Sequence, residues 1–511
     1  MPSNESQPQA GNNAVLRNIN PSYTGFDHIR WYVGNARQAA TYFVAQFGFN
    51  IVAYRGPETG SHLSCSYVVT NGNARFVFTA PITSPNNTWD KRASGADRQQ
   101  LDEIHAHLTK HGDGVKDIAF AVDDVTGVWE HAVQHGAISI QEPQLLKDQS
   151  GEVRSATIQT YGDTAHTLIN RSAYQGIFLP GYQAVSGQDR LNDLLPEIDV
   201  IEIDHCVGNQ GWDGLDSIVN YEDALNFHRY WTVDDKDMCS EYSAMRSIVM
   251  ASPNEVIKMP MNEPATGLKK SQIEEFVEYY NGPGCQHIAF RTPNILQAVE
   301  NLTTRGVTFL SVPETYYANM RKRLASANIT LAEDINLLQK YNILIDFDEG
   351  GYLLQIFTKH VVDRPTVFLE IIQRENFDGF GAGNFKSLFE AFERDQEMRG
   401  NLLLACLFLW GKLTVRYFLS VLQENPLTYV LGKNTANLRK EVEENSQELR
   451  FKLAQPSHQK IQHPYDPASV HSIPSLNAVP MDIFNAPNNT ETRPRPYHKR
   501  YSISTPGHHW L

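Results

Sequence analysis

The chain has 511 residues, 41% of them apolar, which is enough for two or three ordinary globular cores. A formal charge of −14 and a pI near 5.7 argue against a nucleic-acid partner, because phosphate binding needs clustered Lys and Arg. Five cysteines (Cys65, Cys206, Cys239, Cys285 and Cys406), odd in number and without CxxC spacing, argue against a disulfide framework or a thiolate zinc site and fit a reducing, cytoplasmic setting.

Residues 1–25 are rich in Ser, Asn, Gln and Gly and read as a disordered arm; Met1–Asn20 has no apolar core, so no signal peptide is expected. A first domain is expected over 26–185. It opens with a strand at Phe26–Asn35, an amphipathic helix at Ala36–Phe47 and several short alternating strands. The pattern returns in a second domain, 199–402, with a helix at Tyr221–Tyr230 and strands at Ser243–Met250 and Glu255–Met261. Asp27-His28 followed by Val33-Gly34-Asn35 parallels Asp204-His205 followed by Val207-Gly208-Asn209. Gly114-Val115-Lys116-Asp117-Ile118-Ala119-Phe120 parallels Gly284-Cys285-Gln286-His287-Ile288-Ala289-Phe290. The halves therefore read as a duplicated unit.

Within Val367–Arg374 a carboxylate, Glu370, interrupts an apolar strand, and a buried carboxylate without a partner costs several kcal/mol. His205 and His287, in two other strand-like segments, are candidate partners: 82 residues separate His205 from His287, and 83 separate His287 from Glu370. Taken singly, each histidine is more often a satisfied core residue than a ligand. Together, two imidazoles and one carboxylate form a facial set for a divalent first-row metal with positions left open, as in non-haem Fe(II) oxygenases; the residues alone leave iron and zinc both possible. In the repeat register Asp117 stands for His287 and Thr167 for Glu370. The first half thus keeps only His28, and one metal per chain is expected.

Phe385, Leu388, Phe389 and Phe392 follow at helical spacing, predicting a helix over 384–400 that packs on the preceding domain. Beyond it, 402–422 is apolar but broken by Lys412 and Arg416, and its uninterrupted run is too short to span a bilayer of about 30 Å. It reads either as a membrane or partner helix or as an appended segment without a core. The atypical extension 403–511, dense in Pro, Asn, His and Ser from about Pro456, is expected to be largely disordered, and a misread frame or retained intron is its expected origin.

The segments Ile203–Asn209, Lys258–Pro264, Lys270–Ile273, Gly284–Ala289, Gly351–Lys359 and Phe368–Arg374 together resemble the 4-hydroxyphenylpyruvate dioxygenase family, over about Phe26 to Leu402. The resemblance implies an α+β fold: two tandem vicinal-oxygen-chelate domains built of βαβββ modules, each an open barrel, with a C-terminal lid helix. It implies Fe(II) at His205, His287 and Glu370, and conversion of 4-hydroxyphenylpyruvate and O2 to homogentisate and CO2 in tyrosine and phenylalanine catabolism. It further implies that Ser247, Asn262, Gln272 and Gln286 surround the substrate phenol, that Gln355 lies near the iron, and that Phe357, Phe380 and Phe385 line the ring pocket and its mouth. Without the resemblance, the polar residues would read as strand surface and the phenylalanines as core. The run Gly379–Phe385 lacks the spacing of a phosphate loop and reads as a flexible lead into the helix, which would act as a lid. A homodimer or homotetramer is expected, with no membrane partner. A 4-hydroxymandelate synthase, an extradiol catechol dioxygenase and a non-catalytic protein of the same fold are the rival readings.

Overall fold

The computed structural model describes residues 22–401 apart from 87–89, 186, 188, 216–218, 234–243 and 328. Most of the N-terminal arm, the 402–422 segment and the tail beyond it lie outside the described residues.

Short alternating and fully apolar runs form two curled sheets. The first contains β1 (Tyr23–Tyr32), β2 (Asn50–Arg55), β3 (Ser64–Asn71), β4 (Ala74–Pro81), β5 (Gly114–Val122), β6 (Ser139–Asp148), β7 (Gly151–Gln159), β8 (Ala165–Asn170) and the two-residue β9 (Gln183–Ala184). The second contains β10 (Glu202–Asn209), β11 (His228–Val233), β12 (Ala244–Ala251), β13 (Lys258–Ala265), β14 (Gly284–Arg291), β15 (Leu344–Phe347), β16 (Tyr352–Phe357) and β17 (Phe368–Glu375). Leaving β9 aside, the first sheet runs β2-β3-β4-β1-β5-β8-β7-β6 and the second β11-β12-β13-β10-β14-β17-β16-β15, the same order strand for strand. In each, the first strand pairs parallel with the fourth and antiparallel with the fifth. Each sheet is thus two βαβββ modules.

Local chemistry fixes the crossover helices. Asn35 caps the Ala36–Phe47 helix by accepting from the Gln38 N–H, and Gly48, at φ 68°, ends it in the left-handed region that favours glycine. Ala36, Ala40, Phe43, Val44 and Phe47 make its buried stripe. Phe43 and Phe49 pack on Phe76, and Phe76 on Phe290 of the second sheet, so the two halves share one apolar core.

The register places the duplicated residues as the repeat predicts. His28 pairs with Ala119 as His205 pairs with Ala289, and Arg30 with Asp117 as Val207 with His287. In β8, Thr167 takes the place of Glu370 and donates both its N–H and its hydroxyl to the Asp117 carboxylate, at 2.8 Å each. The two lost ligand positions of the first half therefore satisfy each other.

Three boundaries differ from the sequence reading. The first strand begins at Tyr23, because that side chain is buried against Phe120 and Phe227 and its hydroxyl donates to the Leu225 carbonyl, so 23–25 belong to the sheet rather than to the arm. The helix expected over Tyr221–Tyr230 is only Val219–Leu225. The backbone turns at Asn226, with φ 56°, and the aromatic residues that follow form the edge strand β11. β12 and β13 lie one and three residues later than expected, at Ala244–Ala251 and Lys258–Ala265.

The hairpin between β3 and β4 is tied to the link between the halves: the Asn71 side-chain amide donates to the Ile198 carbonyl and the Asn73 N–H to that of Ile201. Gly72 sits between them at φ 54°, where an added Cβ would come within 1.9 Å of the Val200 carbonyl oxygen. Gly72→Ala is expected to lower stability by about 1–3 kcal/mol, through positive-φ strain and a backbone clash, as measured by urea denaturation.

Candidate metal centre

Three neighbouring strands carry the site. β10, β14 and β17 lie side by side in the second sheet, and their inward faces hold His205, His287 and Glu370, all buried. The pairing of β14 with β17 sets Ala289 opposite Glu370 and His287 opposite Phe368, so the carboxylate enters one step along the sheet from the imidazole. The Glu370 Oε2 atom lies 3.1 Å from His205 Nε2 and 3.4 Å from His287 Nε2. One donor atom from each of the three lies within 4.8 Å of the others.

Both rings are held from behind. Nδ1 of His205 is 2.8 Å from Asp204 Oδ1, and Nδ1 of His287 is 3.1 Å from the Gln286 side-chain oxygen, which leaves both Nε2 atoms facing the centre. The Arg374 guanidinium grips Asp204 with two bonds of 2.8 Å each. Burial would raise the Asp204 carboxyl, but Arg374 and His205 outweigh it and hold that group far below the usual carboxylate range. Burial likewise pushes the Glu370 carboxyl up, and the two imidazoles overcome it, holding the group at about 2. Burial would lower His205, yet Glu370 and Asp204 on either side raise it; for His287 burial wins and keeps the ring below its ordinary value. Two nitrogen donors and one carboxylate oxygen suit a divalent metal, and among the described residues no fourth His, Cys, Asp or Glu joins the group. A three-donor set of this kind leaves coordination positions to substrate, as catalytic sites do.

The metal group faces a narrow cavity of about 50 Å³, walled by polar and apolar side chains of the second sheet and of the helix that follows it. The structure places Ser247, Asn262, Gln272, Gln286, Gln355, Phe357 and Phe380 in its wall. Ser247 and Asn262 are register partners on β12 and β13. Gln272 begins the Gln272–Tyr280 helix, and its side-chain oxygen accepts from Gln286 at 3.4 Å. Phe380 sits in a glycine-rich loop and meets the His205 ring edge-on at 5.2 Å. Phe385 is the first residue of the Phe385–Met398 helix, and its side chain lies outside the described residues. Leu388 and Phe389 of that helix reach the cavity.

Several wall residues were not singled out from sequence. Phe368 stacks on His287 at 4.7 Å, yet in sequence it is one more apolar residue of a buried strand. Met245, Val249 and Pro260 read the same way. The Arg374–Asp204 pair did leave a signal: Asp27 precedes His28 and Arg171 follows Thr167 by four residues, the spacing of Arg374 after Glu370.

The charges set a pH dependence. With Glu370 held at about 2, the carboxylate is ionised throughout the working range, so no proton competes with a metal for it. His205 is raised in the metal-free site, so below its pKa a metal must displace a proton. Apparent metal affinity is therefore expected to fall as pH drops from 8 to 5.5, by up to about tenfold per unit below that pKa, in anaerobic titrations. The metal-free protein has the matching stability terms. That of Glu370 is present above the ordinary carboxylate range and lost as pH falls through about 2, and that of His205 is lost as pH rises through its raised pKa.

Residues 213–356 match the model of the Glyoxalase/Bleomycin resistance protein/Dioxygenase superfamily. Over 397 residues the chain is 64% identical to a probable 4-hydroxyphenylpyruvate dioxygenase 2 of Aspergillus fumigatus, covering 76% of this chain and 98% of that protein. A 4-hydroxyphenylpyruvate dioxygenase of Coccidioides posadasii is 54% identical over 77% of this chain and 99% of its own length. Among solved structures, a variant of 4-hydroxymandelate synthase from Streptomyces coelicolor superposes with a TM-score of 0.62 at 30% identity, over 74% of this chain and all of that one. Near-complete coverage at such identity, on a fold whose two halves repeat and whose second half gathers two histidines and a glutamate, makes this chain a member of the 4-hydroxyphenylpyruvate dioxygenase family.

Proposed function

We propose that the chain is an Fe(II)-dependent dioxygenase that converts 4-hydroxyphenylpyruvate and O2 to homogentisate and CO2, in tyrosine and phenylalanine catabolism. The observation that carries this reading is the convergence of His205, His287 and Glu370 within 4.8 Å beside a cavity lined by phenylalanines and by hydroxyl and amide side chains. Iron, rather than zinc, is favoured by family membership together with an open set of two imidazoles and one carboxylate. The same proposal covers one iron per chain, a catalytic half over 199–402, a first half over 26–185 without metal, a cytoplasmic location, and a homodimer or homotetramer. No helix of the described residues is long and apolar enough to cross a membrane.

When bound, ferrous iron supplies a chelation point for a 2-keto acid and activates O2. The chain's residues do the rest. Phe357, Phe380, Val207, Met245 and Val249 form an apolar sleeve that holds the ring in one orientation beside the metal ligands. Ser247, Asn262, Gln272 and Gln286 offer hydroxyl and amide groups, which meet a neutral phenol without charging the pocket. The Asn262 side-chain N–H also donates to the Asn209 side-chain oxygen at 3.3 Å, which fixes the Asn262 amide at the cavity wall. Gln355 packs under the loop at Gly381, beside the ligand set. The Phe385–Met398 helix covers the mouth with Leu388 and Phe389, and as a lid it would exclude water from the reaction.

One second reading has an observation behind it, the similarity to 4-hydroxymandelate synthase over that enzyme's whole length. Both readings share the site, so the product separates them. Anaerobic loading with Fe(II), then 4-hydroxyphenylpyruvate and air, is expected to yield homogentisate; 4-hydroxymandelate would replace the first reading with the second. His205→Ala, His287→Ala and Glu370→Gln are each expected to abolish turnover with the fold retained by circular dichroism. Asp117→Ala is expected to keep one iron per chain by metal analysis, and loss of that iron would move the site to the other half. Asn262→Ala is expected to lower kcat/KM by about 5- to 150-fold, the 1–3 kcal/mol of one buried polar contact.

A further inference from the structure

Arg374, next to last in β17, has a side chain only 9% exposed, and four of its five N–H groups have protein acceptors. Nε and Nη2 donate to the two oxygens of Asp204, and Asp204 holds Nδ1 of His205. Nη1 donates to the carbonyls of Phe377, at 3.1 Å, and Gly379, at 2.6 Å, the residues that lead into Phe380. The guanidinium carbon lies 5.3 Å from the Phe380 ring, whose edge faces His205. One rigid planar group thus touches the support of a metal-ligating imidazole, the backbone of the loop and the ring that this loop presents to the cavity. Lysine would keep the charge beside Asp204 but could not reproduce the fork that also reaches the loop carbonyls.

We propose that Arg374 is a positioning residue that couples the orientation of His205, through Asp204, to the placement of the loop carrying Phe380, so that the ligand set and the cavity wall are fixed together. The inference rests on the metal-centre reading above. The first half supplies a built-in comparison. Arg171 grips Asp27 in the same two-pronged manner, Asp27 holds His28 at 2.6 Å, Arg171 Nη1 donates to the Phe178 carbonyl, and the Phe178 ring lies 5.2 Å from His28 and 5.0 Å from the guanidinium. There the histidine has no metal partners: its Nε2 is buried without a hydrogen bond, and Asp117 and Thr167 are bonded to each other. A device that merely stabilises the fold should matter equally in both halves. One that positions a ligand and a cavity wall should matter to metal and substrate only in the second.

The test uses the full-length protein and the variants Arg374→Gln, Arg374→Lys, Asp204→Asn, the Arg374→Gln/Asp204→Asn double variant and, as controls, Arg171→Gln and His205→Ala. Each is measured for thermal unfolding, for anaerobic Fe(II) and Co(II) affinity, for hydrogen exchange of the 376–384 segment with and without metal, and for kcat and KM. Arg374→Gln and Asp204→Asn are expected to weaken metal binding by roughly ten- to a hundredfold, with a combined effect in the double variant smaller than the product of the two. Arg374→Lys, which keeps the charge and an acceptable fold, is expected to retain most of the metal affinity, to speed exchange of 376–384 and to raise KM more than it lowers kcat. In the native protein, metal is expected to slow that exchange; in Arg374→Gln this response is expected to disappear. Arg171→Gln is expected to lower the unfolding temperature while leaving metal affinity and loop exchange as in the native protein. Native metal affinity and a native loop response in Arg374→Gln would overturn the proposal, as would an Arg171→Gln variant that loses metal equally. A native protein that binds no metal, or a His205→Ala variant that binds it unchanged, would instead overturn the metal-centre reading.

Discussion

A carboxylate buried in an apolar strand is the constraint from which the rest of the second half follows. Glu370 is 3% exposed, and a charge so placed is tolerable only beside opposite charge or hydrogen-bond donors. The two imidazoles supply both, and the rings must in turn be held so that Nε2, not Nδ1, faces the carboxylate. Asp204 and Gln286 do that, Arg374 neutralises Asp204, and the backbone carbonyls of 377 and 379 use the guanidinium's remaining donors. Without a metal this chain of contacts still leaves one negative group between two neutral or partly charged rings. The arrangement is most stable with a cation at its centre, and it is therefore a preorganised receptor for one.

Duplication allows the same logic to be watched where it has been relaxed. Both halves retain the strand order, the Asp-His pair, the arginine behind it and the phenylalanine in front of the histidine. What differs is the far side. Where His287 and Glu370 would need a cation, Asp117 and Thr167 bond to each other, and the interior is closed by Tyr174, Phe178, Leu179 and Tyr182, which pack on Ala53, Val68 and Val77. Exchanging ligands for a self-satisfied pair and filling the cavity with apolar side chains turns a receptor into a core. The first sheet then contributes surface to the second, through Phe49 and Phe76 against Phe290 and through Tyr280, whose hydroxyl donates to the Val115 carbonyl.

Much of this was legible in the sequence because the signals were violations of local rules. A glutamate in an apolar strand, preceded by two histidines at successive steps of 83 and 82 residues, stands out against β-strand patterning, and the repeat could be read from Asp27-His28 against Asp204-His205. The parts that were not legible obey local rules. Phe368 is what any buried strand would hold, and only the pairing of β14 with β17 reveals that it stacks on a ligand. Arg374 at a strand end resembles a solvated terminus, and its role comes from Asp204, 170 residues away in sequence. The Tyr221–Tyr230 stretch is amphipathic enough for a helix, and the left-handed residue Asn226 divides it for reasons of tertiary packing: Tyr221 and Phe227 are both buried, the latter against Tyr23.

The cavity wall divides into a part carried on paired strands and a part carried on a loop and a helix. Its floor and polar wall stand on paired strands: His205, His287 and Glu370 on three neighbours, Ser247 and Asn262 across one register pair. Positions so fixed hold a ligand set to the fraction of an ångström that chemistry requires. The remaining wall is the loop bearing Phe380 and the helix that follows, which are held by polar contacts along their length, Arg394 to the Ser311 carbonyl among them, and by buried apolar packing. Asp346 accepts from the Gly383 N–H, the Asn384 oxygen accepts from Tyr316, and Arg399 and Asn401 at the far end reach Glu275. Gly381, at φ 75°, lies so close to the Gln355 amide that any side chain there would collide with it, so the loop rests directly on the ligand-bearing sheet. Phe389, Ala391 and Phe392 are buried, and the Phe392 ring lies 5.0 Å from Phe368, which itself stacks on His287, so the helix is packed onto the ligand-bearing sheet through its apolar face.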